Sequence, residues 1–263
     1  MSDDLGLIRQ AAIEAGSMAM DLRKAGLKIW SKSGGSPVTN ADIAVDTLLK
    51  ERLLAARPDY GWLSEETADD PARLGKTRLF VVDPIDGTAA YIKDLPWFSV
   101  AIAVVEAGRP ISGIVHAPAV DETYSAARGG GARLNGSLIT PSQTEALQDS
   151  AMLGDAKMFA HPAWRQPWPA MRFVTRNSIA YRMALVAAGA FDAALALSAK
   201  NDWDLAAGDL IAAEAGAMTT DHTGAQFVYN RPSPLQTSMI CATPALHPLI
   251  LARTQAIELN RAG

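Results

Sequence analysis

Asp83-Pro84-Ile85-Asp86-Gly87-Thr88 is the stretch that decides this fold. It follows Leu79-Phe80-Val81-Val82, an apolar, β-branched and aromatic run that predicts a buried strand. Such a strand delivers Asp83 to the edge of a sheet. Pro84 turns the chain, and Asp86 comes back near Asp83. The Ile85 carbonyl, freed from the ladder, can then serve as a neutral oxygen ligand. Gly87 lets a ligand approach the main chain closely. Thr88 offers a hydroxyl at a helix start, where free N–H groups favour an anion. Read alone, the hexapeptide is also a surface turn, since Asp-Pro and Asp-Gly are common turn dipeptides. A hydrophobic strand ending in two acids argues against an idle turn.

Three other acidic segments gain meaning only if the fold brings them to this point. Glu65-Glu66 follows the apolar Gly61-Trp62-Leu63 run, and on its own reads as a solvated pair. Asp204 follows Trp203 at the head of an apolar helix, where an acid is also simply stabilised by the helix dipole. Asp42 stands three residues after Thr39, the spacing of a capping box. Brought together, carboxylates repel one another, and a hard divalent cation is the usual relief.

Further out, Leu5, Ile8, Ala12, Ala15, Ala19 and Leu22 recur at helical spacing and predict a helix from Leu5 to Ala25. A polar, glycine-rich break spans Ser31 to Pro37. A second helix runs from Thr39 to about Arg57, stopped by Pro58. Val100 to Val105, Ile111 to His116 and Thr123 to Ala127 predict an antiparallel meander. Gly129-Gly130-Gly131 and Asn135-Gly136 close it with turns. Beyond about Thr140, strand and helix alternate. A helix capped by Ser178 runs to Ala188, a strand covers Phe191 to Leu197, and a helix covers Asp204 to Ala215. A short strand, Met239 to Ala242, and a closing helix from Pro244 follow. The expected organisation is an α+β half over 1–140, carrying most of the acids, and an α/β half over 141–263, contributing Asp204 and the substrate pocket. The two form one compact unit.

Composition narrows the function. Hydrophobic residues are 49% of the 263, enough for a sizeable core. With a net charge of −4 and no long Lys/Arg run, nucleic acid is not an expected partner. Cys241 is the only cysteine, which excludes an internal disulfide or a thiolate metal cluster and fits a reducing cytoplasm. The N-terminus, Met-Ser-Asp-Asp, is acidic and a poor signal peptide. The most apolar run, Met183 to Leu197, is broken by Asp192 and is shorter than the ~20 residues of a membrane span. No Walker A loop, G-x-S-x-G elbow or H-E-x-x-H motif is present. His116, His161, His222 and His247 are scattered and read as structural or solvated. Trp164, Trp168 and Trp203 read as packing or dimer contacts.

The order Asp42, Glu65-Glu66, Asp83 to Thr88, Trp203-Asp204 resembles the signature of the inositol monophosphatase superfamily, the lithium-sensitive metal-dependent phosphatases. Ser36-Pro37-Val38-Thr39, Gly131 to Gly136 and Glu214-Ala215-Gly216 extend the resemblance over nearly the whole chain. It implies an α+β fold, the layered αβαβα sandwich of the inositol monophosphatase / fructose-1,6-bisphosphatase type, and a homodimer. It implies two Mg²⁺ ions, the first held by Glu65, Asp83 and the Ile85 carbonyl, the second by Asp83, Asp86 and Asp204. Glu66 would support the site and meet a third ion through water. Catalytic roles fall to Asp42 and Thr88, which would activate the attacking water, and to Glu65. The Gly87 and Thr88 N–H groups would hold the phosphate. Two such cations can clamp the attacking and leaving oxygens of an in-line displacement. Li⁺ would inhibit at the second position.

The implied substrate is a small phosphorylated metabolite. Inositol-specific members place a Glu shortly before Trp-Asp, where this chain has Ala196 and Leu197. Ser36 to Ala44, Ser64-Glu65-Glu66, Tyr91-Ile92-Lys93 and Gly113 to Pro118 resemble the branch that removes the 3′-phosphate from adenosine 3′,5′-bisphosphate. Gly131 to Gly136 resembles the inositol branch. The nucleotidase activity leads, with inositol-1-phosphate and histidinol phosphate as alternatives. Ser178 and Asp204 are expected to touch substrate, and Asn201-Asp202 to line the same pocket. A non-catalytic scaffold is the contrasting function, but it has no physical need for Glu65, Asp83, Asp86, Asp204 and Thr88 together.

Overall fold

The computed structural model describes residues 4–32, 35–162 and 164–259. Residues 33–34 of the glycine-rich break and the first three residues of the acidic N-terminus lie outside them. In chain order the main elements are α1 (Asp4–Ala25), β1 (Ile29–Ser31), β2 (Pro37–Thr39), α2 (Asn40–Ala56), β3 (Gly61–Ser64), β4 (Arg78–Asp86) and α3 (Thr88–Ile92). Next come β5 (Ser99–Glu106), β6 (Arg109–Ala117), β7 (Glu122–Ala127), β8 (Ala132–Leu134) and β9 (Ser137–Leu138). The rest of the chain supplies β10 (Ala151–Leu153), α4 (Ala156–Phe159), β11 (Arg172–Val174), α5 (Ile179–Ala187), β12 (Ala193–Ala196), β13 (Lys200–Asn201) and α6 (Asp202–Ala215). It ends with β14 (Met218–Thr220), β15 (Leu235–Gln236), β16 (Met239–Ala242) and α7 (Leu246–Thr254).

Strands β3 to β9 form one sheet in sequence order, parallel at β3–β4 and antiparallel onward. Because side chains alternate across a strand, β4 and β5 feed two cores. Phe80, Val82, Val100, Ile102 and Val104 meet Ile8, Ala12, Val45 and Leu49 of α1 and α2. Leu79, Val81, Ala101, Ala103 and Val105 meet Met183, Val186, Ala206 and Ile211 of α5 and α6. With helices on both faces, β4 reads as a continuous apolar run rather than an alternating one.

The second sheet has the order β11-β10-β12-β16-β14. Its inner face, through Leu153, Ala194 and Cys241, joins the α5–α6 core. Its outer face, through Met152, Leu195 and Ile240, packs on Leu246 and Ile250 of α7. The layers therefore run α1/α2, large sheet, α5/α6, small sheet, α7, which is the expected αβαβα sandwich. Strand and helix alternate as expected from β10 to α6, but β14 and β16 enter antiparallel, so this sheet is mixed. Gly208 sets the closeness of the middle helices: a Cβ there would stand 2.9 Å from Met183 Cβ.

Two local readings shift. Helix α6 begins at Asp202, two residues before the expected start, because Asn201 takes the cap position and Asp204 occupies the third helical position. The β1–β2 hairpin, antiparallel with Ile29 opposite Thr39, flanks what the sequence shows as a featureless polar break.

Candidate active site

Strand β4 slips register between Asp83 and Asp86, which face Ala101 and Ser99 of β5. The slip leaves Pro84 and Ile85 outside the ladder, as the hexapeptide predicts. Asp83 is 1% exposed, and its Oδ1 accepts the Ile85 N–H at 3.1 Å. Gly87 has φ +95 and caps α3, and a Cβ on it would stand 3.0 Å from both Ser178 N and Trp97 O. Only glycine fits a left-handed position pressed between two segments. The first helical hydrogen bond of α3, Ala90 N–H to Gly87 O (2.8 Å), leaves the Thr88 and Ala89 amides ahead of it.

Helix α2 supplies Asp42. Its Oδ2 accepts the Thr39 N–H (2.8 Å) and the Thr39 hydroxyl (2.6 Å), completing the capping box. Its Oδ1 accepts from Thr88 Oγ1 at 3.1 Å, and the same hydroxyl lies 3.1 Å from Ile85 O. Capping and a place beside Thr88 are thus one arrangement: the cap holds one oxygen and turns the other to Thr88.

Helix α5 approaches Asp86 with its N-terminus. Ser178 Oγ donates to Asp86 Oδ2 (2.5 Å), the Ala180 N–H to the same oxygen (2.7 Å), and the Ile179 N–H to Oδ1 (3.0 Å). Ser178 Oγ also accepts the Tyr181 N–H and sits 3.0 Å from Ser99 Oγ. Ser178 is 0% exposed. The expectation that it touches substrate is therefore corrected: its hydroxyl is spent holding Asp86 and capping α5. Helix α6 brings Asp204, whose Oδ2 takes the Asn201 N–H at 2.6 Å.

Asp83, Asp86 and Asp204 each offer an oxygen within 4.8 Å of the others. Burial raises all three carboxyls, and neighbouring carboxylates, Glu65 among them, raise them further. Asp204 is pushed up to about 7 by desolvation and then by Asp86. Asp86 reaches about 6, burial outweighing the donors from Ser178, Ala180 and Ile179. Asp83 is driven well up by burial, then by Glu65, Asp86 and Asp204. A hard oxygen set crowded this closely can hold a divalent metal ion.

Glu65 acts on this cluster through its charge, but its carboxylate is turned to Lys32, 2.8 Å away. Lys32 also holds Glu66 at 2.7 Å. Burial nonetheless raises Glu66 to about 7, against the pull of Lys32. Lys32 carries no sequence signal, because its partners lie 33 and 34 residues away.

Beside the acids opens a cavity of about 710 Å³. Glu65, Asp86 and Asp204 form its acidic end, and Thr175, Asn177, Arg182, Leu197, Lys200 and Trp203 are among its other walls. Trp203 thus faces the cavity as well as packing on the core. Asn201 lines it, but Asp202 does not: that residue is 0% exposed, accepting from Asn230 N–H and Gln236 Nε2, both at 2.8 Å. Arg182 had a legible signal, as the one charge in the apolar run Ile179-Ala180-Tyr181-Arg182-Met183-Ala184-Leu185. His116, His222 and His247 are buried against Thr123, Ser238 and Thr220, away from the cavity lining.

The sequence matches the profile of the Inositol monophosphatase family over residues 3–259. The chain belongs to the inositol monophosphatase family. It is 32% identical over 230 residues to the inositol-1-monophosphatase of Rhizobium meliloti (strain 1021), covering 84% of this chain and 86% of that protein. It is 32% identical over 237 residues to the histidinol-phosphatase of Chlorobaculum parvum, covering 87% and 89%. The solved Thermotoga maritima IMPase shares the fold with a TM-score of 0.83 at 28% identity over 96% of both chains. Membership of the inositol monophosphatase family makes the chain a phosphomonoester hydrolase. No helix among the described residues is long and apolar enough to cross a membrane.

Proposed function

We propose that this chain is a Mg²⁺-dependent, Li⁺-sensitive phosphomonoesterase, working as a homodimer in a reducing cytoplasm. The observation that carries the reading is the convergence of Asp83, Asp86 and Asp204 beside the Asp42–Thr88 pair. Those three carboxylates, with Glu65 and the Ile85 carbonyl, would hold the ions. When bound, Mg²⁺ supplies Lewis acidity and makes water acidic enough to attack at neutral pH. The protein's own groups do the rest. Thr88 Oγ1 takes the proton of the attacking water and passes its own to Asp42 Oδ1, 3.1 Å away. The Gly87 and Thr88 amides, with the Ala89 amide beside them, would receive the phosphate oxygens. Ser178 and the α5 amides keep Asp86 aimed at the cluster.

The cavity supports a substrate with a second anionic group. Ala196 and Leu197 offer no acceptor for polyol hydroxyls, whereas Arg182 and Lys200 line the same cavity with positive charge. Adenosine 3′,5′-bisphosphate is the reading that fits both. Histidinol phosphate is the second reading, favoured by the Asp155 carboxylate on the cavity wall and by the likeness to a histidinol-phosphatase. Phosphate release from adenosine 3′,5′-bisphosphate, histidinol phosphate, inositol-1-phosphate and fructose-1,6-bisphosphate tests the reading. The nucleotide is expected to be cleaved fastest, with loss of activity in EDTA and inhibition by Li⁺. Undiminished turnover in EDTA overturns the metal mechanism, and a preference for inositol-1-phosphate overturns the substrate reading.

A further inference from the structure

Asp46 lies four residues beyond Asp42 on α2, on the same helix face. It is 6% exposed, and both its oxygens are engaged. Ser64 Oγ donates to Oδ1, and Thr67 Oγ1 donates to Oδ2 at 2.5 Å. These two hydroxyls flank Glu65-Glu66. One buried carboxylate therefore clasps both ends of the four-residue segment that carries the glutamate pair.

We propose that Asp46 is a positioning residue that sets the reach of Glu65 and Glu66 toward the Asp83–Asp86–Asp204 cluster. Inside the clasp, the Glu65 N–H continues the β3–β4 ladder to Val82 O (3.3 Å), and the Glu66 N–H lies 3.5 Å from Ser64 Oγ. With its ends and first amide fixed, the segment leaves the glutamates little more than their side-chain rotamers to search. The same helix carries Asp42 to Thr88. A single rigid element thus refers the proton-accepting pair and the glutamate pair to one another. Groups that orient ligands in this way typically tune metal affinity or activity by about tenfold to a hundredfold. The inference rests on the proposal that the cluster holds Mg²⁺.

The test compares Asp46→Asn, Thr67→Val and Ser64→Ala in the full chain. Mg²⁺ uptake is measured by calorimetry, alongside melting in EDTA and kcat at saturating Mg²⁺. Asp46→Asn is expected to weaken Mg²⁺ binding by about tenfold to a hundredfold, with kcat at saturation within about threefold. Thr67→Val is expected to weaken it less. The Asp46→Asn/Thr67→Val double variant should bind no worse than Asp46→Asn alone, because the two changes remove the same contact. Should Asp46→Asn fail to fold, Thr67→Val and Ser64→Ala report the same quantity with the aspartate in place. A lower melting temperature with unchanged Mg²⁺ affinity overturns the inference while leaving the metal reading intact. Absence of Mg²⁺ uptake by the unaltered chain overturns both.

Discussion

Helix α6 carries aspartates of two kinds. Asp202 accepts from Gln236 Nε2 and the Asn230 N–H, and Asp209 from the Thr219 and Tyr229 hydroxyls. Asp204, on the same helix, receives the Asn201 N–H and otherwise faces Asp86 and Asp83. Burial raises all of them, and Asp204 is raised further by Asp86 and Glu65: Asp202 reaches about 6, Asp204 about 7, and Asp209 shifts in the same direction. What separates structure from chemistry is the company each carboxylate keeps. An acid that meets only donors is finished as part of the fold, whereas acids that also face one another, as donor-held Asp86 does Asp83 and Asp204, call for a cation.

The contrast is sharpest in Asp83→Asn. Loss of the central acid should remove about 4 kcal/mol of transition-state stabilisation, roughly a thousandfold in kcat. The metal-free protein should melt no lower than the unaltered chain, since a repulsion has been relieved. A large fall in melting temperature would make Asp83 a structural acid instead. Asp209→Ala should do the reverse. Stranding the Thr219 and Tyr229 hydroxyls should cost about 3 kcal/mol in urea unfolding while kcat at 25 °C stays within about twofold. A matching loss of activity would erase the distinction between the two kinds.

A smaller effect concerns pH. A carboxyl raised by folding binds its proton more tightly in the native chain than in the unfolded one. It therefore stabilises the fold below its unfolded value, and that contribution is lost as pH rises through its folded value. For Asp86 and Asp204 the loss begins near the ordinary carboxyl value of 3.8 and its upper part falls between about pH 5 and 8, since their folded values are about 6 and about 7. In EDTA the melting temperature should drop by roughly 5 °C across that range, equivalent to about 2 kcal/mol. Saturating Mg²⁺ should flatten the slope, and a slope that Mg²⁺ leaves unaltered would assign it to other acids, Asp202 first. Least in size, Leu197→Glu adds a carboxylate to the cavity outside either set. Catalytic efficiency on adenosine 3′,5′-bisphosphate should fall about fivefold, about 1 kcal/mol, relative to inositol-1-phosphate. An unchanged ratio would remove Leu197 from substrate choice.

Much of this could be read from the chain because the decisive features are local. Thr39 and Asp42 form their cap within one turn, and the Asp83–Thr88 hexapeptide encodes its own bulge and left-handed glycine. Local patterning also placed α1, α2 and the β5–β7 meander, whereas the layer order came with the family resemblance. What stayed hidden depends on long-range pairing. Lys32 meets Glu65 and Glu66 across a hairpin that the polar break does not reveal. Asp46 reaches Ser64 and Thr67 from 18 and 21 residues away. Ser178 was legible as a helix cap, and that reading, rather than substrate contact, is the one its burial supports.

The cavity wall from Leu195 to Asn201 runs from the end of β12 through β13 to the start of α6, a stretch separate in the chain from the Asp83–Thr88 segment. Replacement of a residue there alters what the cavity admits without rebuilding β4 or the capping box of α2. Descendants of one ancestral gene can therefore drift among phosphate esters while inheriting the same hydrolytic core. The near-equal identity of this chain to proteins named for inositol-1-phosphate and for histidinol phosphate has that form.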